Sequence, residues 1–485
     1  MVYNSSLFLL YFLPVFLVIY FLIDQKYKNG FLLLASIAFY AWGAPVFVFY
    51  VAGSVVVDFI LLRIMMRSYN GKRRLLMWFS LALNLGLLLW FKYMNFFVDQ
   101  FNALLSLFGS EPAGWTAIAL PVGISFITFQ KLACTLDVYK QRQPMFGRLS
   151  DYALYIFMFP QLLSGPIVRP GQITGQIADR SGQDDIDGKL SGFYRFIIGL
   201  SKKVLIADVL GTTVNEIFSL APEEMSSSLV WTAAFAYTFQ IYFDFSGYTD
   251  MAIGLARMLG FRLPENFNSP YVSRSITEFW RRWHMTLSFW FRDYVFLPLA
   301  YATSRKLPRE RYLGIRADKV IYLVATTVTF LLCGFWHGAA WTFILWGAYM
   351  GFFLVIDRLF FLKWMKKAGR IPSVAVTFAA LMFGWLLFRS ASLHEFGFLV
   401  KRMFSFTEFE DFVWLNPKFW TILAIAIFFS FWGGFGRVER WIDQLYLHPG
   451  NRLIITFSLI AIVLCVLCVA AIAAAGFSPF IYFRF

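Results

Sequence analysis

The sequence predicts an all-α polytopic membrane protein, and three observations carry that expectation. Hydrophobic residues make up 59% of the 485-residue chain and charged residues only 15%, against about 25% charged in soluble domains. Mean hydropathy is +0.63. Charge-free runs recur from end to end, and several reach the roughly 20 residues that a transmembrane helix needs.

Those runs define the elements in order. Residues 7–23 form a first apolar run. It is not a cleavable signal, because no basic segment precedes it and no small-residue cleavage site follows. Residues 31–57 hold two closely apposed spans with a turn at Gly43-Ala44-Pro45, and residues 75–91, 115–130 and 152–168 continue the series. Between Lys131 and Pro298 hydropathy is weakest, although residues 226–243 are again free of charge. Residues 320–356 suffice for two short spans or one long tilted one, and residues 371–388, 419–436 and 453–482 follow. Roughly ten to twelve spans are expected. The polar stretches 109–114, 170–188, 221–228, 303–319 and 405–417 are loops. None approaches the ~50 residues of a soluble domain, so residues 1–485 are expected to form a single integral-membrane domain.

The net charge of +15 is spread over loops. Lys26 and Lys28 follow the first run, and Arg63, Arg67, Lys72, Arg73 and Arg74 follow the third. Basic residues also crowd 305–319 and 363–370. The positive-inside rule makes these loops cytoplasmic and puts the N-terminus outside. Such a surface suits anionic lipid and attracts an anionic donor, such as a nucleotide-bearing thioester or an acidic carrier protein. Nucleic-acid binding is not expected, since no basic soluble domain exists to do it. The four cysteines form no framework. Cys465 and Cys468 lie in an apolar run without the further ligands a zinc site requires, so no metal is expected.

His337 stands out. Residues 320–356 contain no Asp, Glu, Lys or Arg, and on a continuous helix His337 would lie ~27 Å from Lys319. That is deep in a hydrocarbon core ~30 Å thick, where an ionisable group marks a functional site by default. Buried histidines also serve as ordinary packing groups. Two other clusters tip the balance. Residues 242–250 (YFDFSGYTD) place Asp244, Ser246 and Asp250 beside an apolar span, with Gly247 permitting a tight turn or a close backbone approach. Residues 278–284 (EFWRRWH) bring a second histidine, His284, with Arg281, Arg282, Trp280 and Trp283. Trp and Arg also anchor ordinary membrane interfaces. Together with a second histidine and nearby carboxylates, they favour a polar intramembrane cavity.

The chain resembles the membrane-bound O-acyltransferases, specifically the bacterial alginate O-acetylation branch. The resemblance rests on residues 242–254 (YFDFSGYTDMAIG), 264–271 (PENFNSPY), 275–294 (SITEFWRRWHMTLSFWFRDY) and 334–339 (GFWHGA). It extends to residues 120–126 (LPVGISF), 164–170 (SGPIVRP) and the terminal PFIYFRF. The resemblance implies a ring of tilted helices around a thinned centre with a tunnel between the membrane faces. It implies a catalytic His337 and an assisting His284, which would orient the acyl group or help stabilise an oxyanion. Arg281, Arg282, Trp283, Trp336, Asp244 and Ser246 are the accompanying candidates for substrate binding.

The expected protein is thus a component of the bacterial inner membrane. It would take acetyl from cytoplasmic acetyl-CoA, hold no permanent cofactor, and pass acetyl to a separate extracytoplasmic acetyltransferase. That partner would modify a polysaccharide such as alginate, cellulose or peptidoglycan. The alternative enzyme is a D-alanyl transferase fed by a carrier protein. A secondary transporter is the competing non-enzyme class, but it favours inverted repeats and broken helices in paired positions, which the sequence does not display.

Overall fold

The computed structural model of the protein describes residues 3–143, 145–163, 165–312, 314–405, 415–434, 451–475 and 480. Most of the terminal PFIYFRF string and part of the 405–417 loop lie outside the described residues. The described chain is helical, apart from a two-stranded hairpin pairing Arg311–Tyr312 with Ile315–Arg316. Among the described residues, seven helices are long and apolar enough to cross a membrane: Phe47–Met66, Asn70–Leu107, Ala317–His337, Trp341–Ala368, Arg370–Arg389, Pro417–Gly434 and Leu453–Ala474. A shorter apolar helix covers Phe8–Leu22.

The other charge-free runs take shorter or more polar forms. Residues 152–168 do not make one span. The helix Leu149–Phe157 stops at Met158, and a single turn, Phe159–Leu162, follows. Pro160 has no N–H, and its ring would collide with the Ile156 carbonyl if the helix continued. Residues 115–130 begin without helix, and Ile124–Tyr139 starts only after Gly123, whose φ of +79° is left-handed. Ser227–Met258 is a 32-residue helix, but its polar 242–250 segment dilutes its hydropathy.

The chain divides into two compact units. The first comprises Met1–Phe193 with Ala252–Pro264. Its interior holds a buried ion pair, Lys131 to Asp58 at 3.0 Å. Asp58 also accepts from Asn84 Nδ2 at 2.8 Å and Ser80 Oγ at 3.0 Å, and Lys131 donates to Ser54 Oγ at 2.8 Å. Pairing plus added hydrogen bonds is what makes a charge tolerable there.

The second unit comprises Tyr194–Met251 with Glu265–Phe485. Two glycine contacts set its packing. A methyl on Gly247 would stand 2.7 Å from the Gly199 carbonyl oxygen, so Gly247 serves a close helix approach rather than a turn. A methyl on Gly334 would run into the Phe343 carbonyl oxygen and stand 2.9 Å from Gly347 Cα. Backbone-to-backbone packing through small residues is how membrane helices gain contact without a hydrophobic driving force. It locks Ala317–His337 against Trp341–Ile356.

Candidate active site

His337 closes the Ala317–His337 helix, and Gly338 leaves it with extended backbone. A side chain on Gly338 would occupy the place of the Phe343 ring. The imidazole is 4% exposed, walled by Trp336, Trp346 and Phe388 at centroid distances of 5.0, 4.8 and 5.4 Å. Its Nδ1 lies 2.7 Å from the Cys333 carbonyl oxygen. A carbonyl only accepts, so Nδ1 carries the proton and donates, while Nε2 keeps its lone pair.

His284 is placed by a chain of local devices. Ser275 Oγ accepts from the Glu278 N–H at 3.1 Å, capping the short Ile276–Phe279 helix. Asp357 Oδ2 accepts from the Thr277 N–H at 2.8 Å, fixing this helix to the end of Trp341–Ile356. The Asn268 N–H donates to the Arg282 carbonyl and the Met285 N–H to the Asn266 carbonyl, each at 2.9 Å. Held between these bonds, His284 adopts φ +42° and ψ 50°. Side chains rarely take this left-handed conformation, and such positions cluster at active sites. The ring is fully buried, with Phe245 edge-on at 4.7 Å and Trp336 at 6.3 Å. Its Nδ1 lies 3.1 Å from Asn266 Oδ1. Burial, and then the charge of His337, hold the His284 imidazole well below its ordinary pKa.

Two cavities adjoin this centre. One of about 350 Å³ is lined by Trp280, Arg281, Ser288, Arg292, Tyr322 and Cys333, among others. The other, of about 270 Å³, is lined by Asn215, Tyr237, Gln240, Phe343, Phe388 and Arg389, among others. The first reaches Cys333, whose carbonyl holds His337. The second is lined by Phe388, whose ring packs on His337. Each cavity thus reaches a residue that touches His337, while neither imidazole is part of either lining.

The residues singled out in the sequence divide accordingly. His337, His284 and Trp336 come together, the indole touching both imidazoles. Arg281 lines the larger cavity. Arg282 lines neither, since it pairs with Glu278 at 3.0 Å and donates to the Asn268 carbonyl at 3.3 Å. Trp283 lies in an aromatic wall with Phe267, Phe279 and Trp385 at 5.0, 5.4 and 4.8 Å. Asp244 is buried in an ion pair with Lys203 at 2.6 Å, and Ser246 is buried without lining either cavity. The 242–250 segment reaches the site through Phe245. Sequence reasoning passed over Asn266, Trp346 and Phe388. Asn266 carried a signal, as a polar residue inside the quoted PENFNSPY string. Trp346 and Phe388 look like ordinary core residues in apolar runs.

Two buried imidazoles packed on one indole, with a cavity beside each of two residues that hold His337, suit acyl transfer in a helical membrane protein. The model of the membrane-bound O-acyltransferase family matches residues 148–393. A probable alginate O-acetylase of Pseudomonas syringae pv. tomato is 40% identical over 414 residues, covering 84% of this chain and 76% of that protein. A peptidoglycan O-acetyltransferase of Helicobacter pylori is 35% identical over 429 residues, covering 81% and 78%. A teichoic acid D-alanyltransferase of Bacillus subtilis is 29% identical over 288 residues, covering 56% and 70%. The chain belongs to the membrane-bound O-acyltransferase family. It is a multi-pass membrane O-acyltransferase, which sets the transporter alternative aside.

Proposed function

We propose that the protein takes acetyl from acetyl-CoA at the cytoplasmic face of the bacterial inner membrane and passes it outward for O-acetylation of an extracytoplasmic, alginate-like polysaccharide. One observation carries the reading. His337 holds its proton on Nδ1, against the Cys333 carbonyl, with Nε2 left as a base, and one cavity reaches Cys333 while another reaches the Phe388 ring that packs on the imidazole. The larger cavity runs along Tyr322, Thr326, Thr329 and Cys333. It lies toward the helix end that follows the basic 305–319 loop, the cytoplasmic end by the positive-inside rule. Arg281 and Arg292 there suit the phosphates of a nucleotide thioester. The greater identity to O-acetylating relatives than to D-alanylating ones favours acetyl as the cargo.

The chemistry balances on one imidazole. A hydroxyl entering the smaller cavity gives its proton to His337 Nε2 as its oxygen attacks the thioester carbonyl. The new C–O bond forms, the C–S bond breaks, and the same proton passes to the departing thiolate, leaving an O-acetyl ester and free CoA thiol. A cavity of about 270 Å³ takes a small hydroxyl-bearing group rather than a polymer. A separate extracytoplasmic acetyltransferase therefore completes the transfer to polysaccharide.

The test is reconstitution in liposomes, with acetyl-CoA supplied at the cytoplasmic face and the glycan and partner enzyme at the other. CoA release and glycan acetylation should both require the partner. They should fall ~10²–10⁴-fold in His337→Ala. Wild-type turnover by a well-inserted His337→Ala protein refutes the role. Turnover only with an acylated carrier protein refutes the donor.

A further inference from the structure

We infer that Asn266 is a positioning residue that fixes the proton of His284 on Nδ1, so that His284 presents Nε2 to the reacting groups as a hydrogen-bond acceptor. The inference deepens the acyl-transfer reading and rests on it for the role of the histidine, but the tautomer can be read without any turnover.

The argument begins with a group that has no choice. The backbone N–H of Thr286 can only donate, and it points at the Asn266 side chain at 3.2 Å. The amide atom that receives it is therefore Oδ1 and not Nδ2. Thr286 Oγ1 donates to the same oxygen at 2.9 Å. His284 Nδ1 lies 3.1 Å from it, and an amide oxygen offers lone pairs only. Nδ1 must therefore be the donor, and in a neutral ring Nε2 then has the lone pair. Asn266 and His284 are both fully buried, so water does not compete for these bonds.

The amide itself bears on function. Asn266 Nδ2 finds no hydrogen-bond partner among the described residues, an expensive condition for a buried donor. Aspartate would accept from the same three donors and leave no orphaned NH₂. What aspartate would also do is place a negative charge beside the imidazole and favour the imidazolium. Nε2 would then carry a proton and cease to accept. Asparagine keeps the geometry and leaves the ring neutral.

The other surroundings agree. Phe245 and Trp336 pack on the ring, and burial, followed by His337, opposes its protonation. A neutral Nε2 acceptor orients a hydroxyl or holds the proton of an incoming nucleophile. It does not donate to an oxyanion. Of the two roles the family resemblance leaves open for His284, orientation is the one this tautomer supports.

Two measurements test this. The chain has only 4 histidines, so ¹⁵N-histidine spectra of the purified protein in nanodiscs are simple to assign with His284→Ala as reference. At neutral pH His284 should show a neutral ring protonated at Nδ1. An Nε2–H ring or an imidazolium overturns the inference whatever the enzyme acylates. The second is the pH profile of CoA release by Asn266→Asp. A carboxylate beside the ring should raise its pKa, moving the acid limb up by about 1–3 pH units, with the rate partly regained at higher pH. The shift should vanish when His284→Ala is added. An Asn266→Asp profile that loses rate equally at every pH, or does not change, leaves Asn266 as a packing residue. If the variant does not reach the membrane, the spectrum of the wild-type protein still decides.

Discussion

Replacing Gly334 with alanine tests whether helix packing sets the position of His337. The added methyl would run into the Phe343 carbonyl oxygen, with Gly347 Cα at 2.9 Å and its nitrogen at 3.0 Å. All three are backbone atoms, so no side chain can swing aside. The two helices must part by about 1 Å to regain ordinary van der Waals separation. Overpacking of this kind costs about 1–3 kcal/mol, and the melting temperature in detergent should fall accordingly. His337 lies three residues further along the same helix and moves with it. A 1 Å misplacement of a reacting group costs ~10²-fold in rate, about 2.7 kcal/mol of transition-state stabilisation. Gly86→Ala is the control. It adds the same methyl where nothing stands within 4 Å, and a helix interior prefers alanine by up to about 1 kcal/mol. The assay is CoA release in proteoliposomes, paired with melting curves for each variant. A Gly334→Ala protein with wild-type turnover would show that the glycine crossing does not position the histidine.

Other expectations concern residues that are easily mistaken for one another. Lys131→Met strands Asp58 as a buried charge and should destabilise the protein by about 3–5 kcal/mol, read from thermal melting. A melt unchanged from wild type would mean the ion pair contributes nothing. Cys333→Ala preserves the carbonyl that orients His337 and removes only the thiol, so acyl transfer should continue near the wild-type rate; its abolition would assign chemistry to sulfur. His284 is held below its unfolded pKa of about 6.5. The unfolded state therefore binds the extra proton first. The contribution of His284 to stability is present above about pH 6.5 and is lost as pH falls below it. Melting temperatures from pH 7 to 5 should drop in the wild type more steeply than in His284→Ala, and parallel curves would contradict the buried neutral ring.

Much of this architecture was legible from charge and hydropathy, and its failures have physical causes. The 320–356 run left open one span or two. It is two, because Gly338 and Ala340 are both extended and end one helix before the next begins. The 152–168 run looked long enough to cross a membrane, and Pro160 divides it. His337 was conspicuous because nothing else in its run ionises. Its tautomer was not, since that depends on a carbonyl four residues earlier. Asp244 and Arg282 looked like site residues because type and neighbourhood are all that a string displays. Each turns to a partner, Lys203 and Glu278 respectively; the first pairing is long-range and no spacing rule forecasts it, whereas Glu278 and Arg282 stand at the i, i+4 spacing of a helix face. Asn266 lies 18 positions from His284 along the chain, and only the folded backbone makes them neighbours.

Placement of charge separates structural from reactive polarity in this protein. Two buried lysines are held by carboxylates: Lys131 by Asp58, and Lys203 by Asp244 and Asp208. Removing the lysine from either set would leave carboxylate charge uncompensated in a medium that punishes it. The two histidines are treated differently. Their Nδ1 atoms meet a carbonyl and an amide oxygen, which fix the proton without adding charge. A carboxylate in either place would secure the ring more firmly and would make it a cation. A cationic imidazole has no lone pair with which to accept a proton from a hydroxyl. Neutral acceptors at Cys333 and Asn266 thus give up some binding strength and keep both Nε2 atoms basic. Ion pairs hold the fold together at a distance, and on the proposed acyl-transfer reading uncharged hydrogen bonds prepare the site for proton transfer.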